Sequence, residues 1–527
     1  MKKDFFNTKL TLTFIIIVLT ILSRLLFSPW DKGGFAFDDG NFALAVQSYS
    51  VEDSRPHLPG YFLHVKIISL VSFFTGNAFS AMSLISALYS GIAMGLLFLL
   101  VINWFSKREA LSIILFTATN PLVWFYGCNT EIYPFDLFFG IALVYLGLSS
   151  RWIYIIPSFI AFGAGVRPSS FVLLFPLYVF LWIVYHRKAA INWKKFILAH
   201  AVGVCFFIAW LFPMLRSIGG VSRFFALYRT HNPMDVMTLA QSIHRLVSYN
   251  ASLVVAVFLV IIFKLFVPGR EEKSSQTGNK DFIKEINTFT QVLLVWIIPP
   301  LLIFACYVYS KGYMLLISGG ISCLLFIFIR KHFFRNILFI TVAVLQTIYF
   351  IAAPYSLPDV DSYVALRQRK HGLLQTWVIR MRSKYLLAQS QFRHLKKVDK
   401  LIAIISNDIV NNPENVFYTK KYLLIDPTCP LVPRTLQVKH PHIRFAALDL
   451  HHEDCFFSYM GLDYENETGI RRLMQSSLIF GRTDFIRHYR LEPLVDKIEY
   501  GEWSLYSYKD EAFLKENIPH EVLFSRW

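Results

Sequence analysis

Apolar runs of bilayer-crossing length recur from Leu10 to Ala353, and short basic stretches separate them. A hydrocarbon core of about 30 Å needs about 20 residues of α-helix at 1.5 Å per residue. In that medium every backbone polar group must be satisfied internally, so only helices or closed barrels cross it. These runs are continuous rather than alternating, which selects helices over strands. The composition agrees, since 55% of the 527 residues are hydrophobic and only 17% are charged, too apolar for an ordinary soluble chain. A net charge of +17 raises nucleic acid as a partner, but the basic residues punctuate the apolar runs and form no basic domain. Lys and Arg accumulate in the cytoplasmic loops of membrane proteins, so the charge needs no nucleic acid.

The N-terminus, Met1-Lys2-Lys3 before the run Leu10 to Phe27, has the outline of a secretory signal. The run is long for a signal core and lacks a small-x-small site before Trp30, so an uncleaved first span with its lysines inside is expected. The first outer loop, 29–80, follows. Within it Tyr61 to Phe74, made amphipathic by His64 and Lys66, is expected to lie on the outer surface. A span from Met82 to Phe105 ends in Ser106-Lys107-Arg108, a third from Ala110 to Phe125 reaches the turn Gly127 to Glu131, and a fourth runs from Pro134 to Leu148. Trp152 to Tyr185 would make a helix of about 50 Å, too long for one crossing, with Arg167-Pro168 in its middle. Two short spans meeting at an outer turn at Arg167 resolve the length and remove a central charge. Further spans are expected at Phe196–Leu215, Leu253–Val267, Val292–Tyr309, after Tyr313, and at Ile337–Ala353, making about eleven in all. Between them lie an outer loop, Arg216 to Ser248, and a polar linker, Pro268 to Lys284.

The fold class expected is therefore an α-helical polytopic membrane protein with a C-terminal soluble mixed α/β domain. Residues 1–355 form the transmembrane domain, 356–400 a basic amphipathic connector and 401–527 an extracytoplasmic domain. Leu401 to Ile405 and Val416 to Leu424 are β-prone. So many basic residues just after a last outward span run against the positive-inside tendency, an observation opposed to this topology. Cys429 and Cys455 share a polar region and either pair in an oxidising compartment or remain free thiols.

Asp38 and Asp39 stand side by side at the start of a helix-like run, where either caps the helix or sits in a cleft at the membrane face. Close carboxylates can divide acid and base duty, because one charge raises the neighbour's pKa. Adjacent positions in His451-His452-Glu453-Asp454-Cys455 do not converge on one ion, so no metal is assigned there. Asn466-Glu467-Thr468 is a glycosylation sequon by pattern alone. The chain has no Walker-type loop, dinucleotide fingerprint or nucleophile elbow, which argues against nucleotide-driven transport and membrane hydrolase chemistry.

The order Asp38-Asp39-Gly40-Asn41-Phe42-Ala43, His57-Leu58-Pro59-Gly60-Tyr61, then Asn120-Pro121-Leu122-Val123-Trp124-Phe125-Tyr126 and Glu131-Ile132-Tyr133 resembles the C-type glycosyltransferase superfamily. That superfamily includes protein O-mannosyltransferases and the lipid A aminoarabinose transferases. Gly163-Ala164-Gly165-Val166-Arg167-Pro168 and Lys311-Gly312-Tyr313-Met314-Leu315 are similar to motifs of bacterial members, and the resemblance covers about the first 350 residues.

The resemblance implies an inverting transferase in a bacterial inner membrane, moving a hexosyl or pentosyl group from a polyprenyl-phosphate-linked donor to a lipid, glycan or protein acceptor on the periplasmic face. It implies a base among Asp39 and Asp38, with Asp39 preferred. Glu131 orients the acceptor, assists the base or binds a divalent ion, or else merely caps the span that starts near Pro134. Arg167, with Lys311 and His57 behind it, would bind the donor phosphate, the alternative for Arg167 being a snorkelling interfacial arginine. Tyr61, Tyr133 and Tyr313 would line the acceptor cleft. No cofactor is implied beyond the open divalent ion. The rivals are a flippase for a lipid-linked glycan, which would carry charges within several spans, and an outer-face glycan polymerase or ligase, which would rely on the loop Arg216 to His244.

Overall fold

The computed structural model describes residues 2–231 except 29, 31–33, 35–36 and 53–54, then 251–266, 280–306, 311–329 and 334–352. Beyond residue 398 it describes short helical stretches and six strands between 421 and 508. The chain forms two compact units, Met1–Trp30 with Tyr61–Phe392, and Asp31–Gly60 with Arg393–Trp527.

The described residues of the first unit are mainly helical, and the chain is a polytopic membrane protein. Among the described residues, five helices are long and apolar enough to cross a bilayer: Thr8–Leu25, Ala78–Val101, Pro168–Lys188, Trp193–Ser217 and Lys284–Cys306. A sixth is added if the bent pair Lys107–Ala118 and Pro121–Cys128 is one span. The expected count of about eleven is therefore not reached by length and hydropathy among the described residues. The other expected runs are helical but only 10–17 residues long, at Phe62–Thr75, Pro134–Leu148, Ile153–Val166, Leu253–Ile262, Gly312–Phe328 and Arg335–Ile351. At 1.5 Å per residue such helices extend about 15–26 Å, short of the hydrocarbon thickness.

Local sequence explains where these helices begin. Asn77 caps α4 (Ala78–Val101; α1 is Lys2–Leu25, α2 Phe37–Gln47 and α3 Phe62–Thr75) by accepting from the Ser80 N–H at 2.8 Å. Ser106 and Glu109 form a reciprocal capping box at α5 (Lys107–Ala118). Asn120 then accepts from the Leu122 N–H at 2.9 Å, and Pro121 occupies the first position of α6 (Pro121–Cys128). Asn120 and Pro121 start a new helix at this break, and α6 leaves α5 at 64°.

α4 is the buried hub and packs on α1, α3, α5, α6 and the helix α7 (Pro134–Leu148). Gly91 and Gly95, four apart, allow α1 to approach: a Cβ at either would lie 2.5 Å from Ile21 Cγ1 or Ile17 Cγ1. Close approach at small residues is how helices associate in lipid, where there is no hydrophobic drive between them. A Gly91→Val/Gly95→Val variant is expected to lose about 1–3 kcal/mol per site by overpacking. Thermal unfolding in detergent checks this, and an unchanged midpoint would contradict the packing account.

The second unit contains α2 and a six-stranded sheet, β1 (Lys421–Ile425), β2 (Phe445–Leu448), β3 (Phe457–Ser458), β4 (Ser477–Arg482), β5 (Val495–Tyr500) and β6 (Trp503–Tyr508). The strand order is β3-β2-β1-β4-β6-β5. β1 pairs in parallel with β2 and β4, and the outer pairs are antiparallel, with Leu423 opposite Ala446 on one side and Ile479 on the other. Residues 402–407 are helical, which corrects the β-prone reading of Leu401 to Ile405. A short apolar run fits either element, and periodicity alone does not separate them. The Gln47 side chain donates to the Val438 carbonyl at 3.3 Å, so the loop that carries Asp38 and Asp39 is tied to residues after 393. The connector 356–398, Cys429, Cys455, His451 to Cys455 and Asn466 lie outside the described residues.

Candidate active site

In the first unit the candidate residues gather around Arg167. It is the joint between α8 (Ile156–Val166) and α9 (Pro168–Lys188), with extended backbone at φ −147, ψ 92. A residue before proline is pushed out of the helical region, so Pro168 sets the break that the span lengths require. The side chain is buried, at 4% exposure. Its Nε stands 3.0 Å from Asp136 Oδ2, and the Ser170 hydroxyl donates to Asp136 Oδ1. The guanidinium carbon lies 4.5 Å from the Tyr133 ring centroid and 5.3 Å from that of Tyr313. These rings are 5.9 Å apart and tilted by 56°, so the cation sits in an aromatic corner. Tyr61 and the buried His64 also interact electrostatically with it.

Tyr61, Tyr133 and Tyr313, expected as an acceptor cleft, are thus neighbours of the candidate phosphate ligand. Arg167 itself is paired with a carboxylate in the interior, which replaces the picture of a snorkelling interfacial arginine. Lys311 opens the 3-10 turn Lys311–Met314, and its side chain is outside the described part. Gly312 in that turn packs flat on Tyr133, where a Cβ would come 2.1 Å from the ring's Cγ. Gly312→Ala is therefore expected to displace the ring and weaken any ligand contact made by Arg167, by roughly the tenfold that about 1.4 kcal/mol represents. Ligand affinity at unchanged membrane abundance measures this.

Glu131 is half-buried on a tightly held turn. Its N–H donates to Asn129 Oδ1 at 3.0 Å, and its carbonyl accepts from Ser86 Oγ at 3.1 Å. These contacts fix the backbone of Glu131 between α6 and α7.

In the second unit Asp38 and Asp39 lie in the first turn of α2, where the helix dipole favours negative charge. The Asp38 side chain is 53% exposed, with its Oδ1 3.3 Å from His57 Nδ1. Asp39 is fully buried. The His57 ring also meets Phe42, with centroids 5.7 Å apart. The Tyr49 hydroxyl donates to the Gly60 carbonyl at 2.7 Å, and Ser50 and Arg55 pair by backbone bonds, so the loop between α2 and α3 is folded on itself. His57, expected at a phosphate, here accompanies a carboxylate.

Asp136, Ser170 and Arg24 were not singled out by sequence. Arg24, 2% exposed, donates from Nη2 to the Ala118 carbonyl at 2.5 Å and lies 5.0 Å from the Trp124 ring centroid. It thereby satisfies the end of α5 at the 64° break. Both Arg24 and Asp136 are charges inside apolar runs, a signal that marks function or pairing in membrane helices. Among the described residues, no group of three His, Cys, Asp or Glu side chains gathers to hold a metal ion.

No protein-family model matches the chain, and no curated protein is similar to it in sequence. Among solved structures, ArnT from Cupriavidus metallidurans bound to undecaprenyl phosphate matches with a TM-score of 0.57 at 10% identity, over 93% of this chain and 97% of that one. ArnT in the apo state matches with a TM-score of 0.54 at 11% identity over the same shares. The chain shares the fold of these two ArnT structures.

Proposed function

We propose that the chain is a membrane glycosyltransferase that moves a hexosyl or pentosyl group from a polyprenyl-phosphate-linked donor to a lipid, glycan or protein acceptor at the outer membrane face. In this reaction an acceptor hydroxyl oxygen bonds to the anomeric carbon while the bond from that carbon to the phosphate oxygen breaks. The hydroxyl proton passes to a carboxylate of the Asp38–Asp39 pair, and polyprenyl phosphate leaves. Attack from the side opposite the leaving phosphate inverts the anomeric centre.

The observation that carries the reading is Arg167, a buried guanidinium at a helix joint with Asp136 on its Nε side. Charge that develops on the leaving phosphate is best stabilised by a fixed cation in a site shielded from water, and a guanidinium fork matches phosphate oxygens. The fold shared with ArnT, which was solved with undecaprenyl phosphate, supports the same donor class. Asp38, exposed beside His57, is open to an acceptor in a way that the buried Asp39 is not, and this favours Asp38 as the base. Glu131 on its fixed turn orients the acceptor.

The test is mass spectrometry of glycolipids and glycans from cells with and without the chain. Its loss is expected to remove one sugar from an envelope species and to let a polyprenyl-phosphate sugar accumulate. Identical profiles would overturn the reading.

A further inference from the structure

We propose that Asp136 and Ser170 form a mount that aims the Arg167 guanidinium, which makes Asp136 a positioning residue for recognition of a phosphate oxyanion. The inference rests on the reading of Arg167 as the phosphate ligand. Asp136 and Arg167 are 2% and 4% exposed. A buried ion pair is often no more stabilising than the apolar side chains that would replace it, so stability alone does not account for one here.

The geometry points to orientation. The Asp136 carboxylate is engaged at both oxygens: Oδ2 faces Arg167 Nε at 3.0 Å, and Oδ1 accepts from the Ser170 hydroxyl. Ser170 lies three residues beyond Arg167 in the first turn of α9, where its N–H donates to the Arg167 carbonyl at 3.1 Å. The carboxylate comes from α7, so it bridges two elements and ties the guanidinium to the start of α9. Contact at Nε leaves the two Nη groups as the remaining edge. That edge carries parallel N–H bonds at the spacing of two phosphate oxygens. The tilted rings of Tyr133 and Tyr313 restrict rotation of the plane.

A mount and a mere counter-ion predict opposite signs. If Asp136 only offsets the charge of Arg167, its removal should strengthen attraction for an anion. If Asp136 aims the fork, its removal should weaken binding although the net charge becomes more positive. Ser170→Ala is the cleaner variant, since it leaves both charges in place and removes only the hydroxyl that holds the carboxylate.

The experiment titrates undecaprenyl phosphate onto the purified full-length protein in detergent, read by native mass spectrometry, with unfolding temperature measured on each variant. Ser170→Ala is expected to bind roughly three- to tenfold more weakly, Asp136→Asn at least as weakly, and Ser170→Thr close to wild type. Wild-type or tighter binding by Ser170→Ala overturns the inference even if Asp136→Asn fails to fold. Arg167→Ala separates the two levels: if it binds like wild type, the phosphate role of Arg167 falls and the mount falls with it. If it binds weakly while Ser170→Ala does not, only the mount falls.

Discussion

The Asp38→Asn/Asp39→Asn double variant is expected to lose transfer by about two to four orders of magnitude, the range supplied by a positioned general base, while reaching the membrane at wild-type abundance. Asparagine keeps the shape of each side chain and the polar start of α2, so the second unit should tolerate the exchange. It removes the negative charge, and with it the ability to accept the acceptor's proton. The single variants divide the effect. Asp38 is exposed next to His57 and Asp39 is fully buried, so the larger loss is expected at Asp38→Asn. The sequence reading prefers Asp39, and the two predictions separate in one rate measurement. A double variant that still transfers at full rate would remove both residues from the mechanism.

Arg167→Ala carries the second large effect, because it acts on binding and stability together. Removing one partner of a buried pair strands the other charge, here Asp136, at a cost of about 3–5 kcal/mol. The variant should therefore unfold at lower temperature and also lose affinity for undecaprenyl phosphate. Arg167→Lys keeps the positive charge but not the planar fork, so it should retain more of the stability and still lose affinity. Adding Asp136→Asn to Arg167→Ala should return part of the lost stability without restoring binding. Detergent unfolding curves and undecaprenyl phosphate titrations on the same preparations read the two quantities apart. Wild-type affinity in Arg167→Ala would show that Arg167 is a structural residue only.

Much of the helical framework is legible in the sequence, because continuous apolar runs in lipid have no alternative that satisfies their backbone. The joint at Arg167 is legible for the same reason, combined with the restriction that Pro168 imposes on its predecessor. The number of crossings is not, since hydropathy marks a run without saying whether its helix stops after ten residues or twenty. The break between α5 and α6 shows how such a signal is overlooked. Asn120-Pro121 is a helix-start signature, yet the apolar residues on both sides read as one span.

The site divides along similar lines. Arg167, Tyr133 and Tyr313 were named from sequence, but their convergence depends on the packing of α7, α9 and the turn at Gly312. Asp136 lies 31 positions from Arg167, and no local pattern announces that pairing. Assignment of residues 31–60 to the unit with the C-terminal sheet was equally out of reach, because it is a tertiary fact. The sequence by itself groups the first outer loop, 29–80, with the spans that flank it.

The most direct test of the central claim is a reconstitution that follows the carrier lipid. The purified chain is placed in vesicles with polyprenyl-phosphate sugars extracted from membranes that lack it, together with an acceptor extract from the same cells, and the lipids are followed by mass spectrometry. The account predicts that free polyprenyl phosphate and a glycosylated product appear together, and that neither appears with the Asp38→Asn/Asp39→Asn variant. A donor that changes leaflet with its sugar still attached, or carrier release unaffected by that variant, would contradict it.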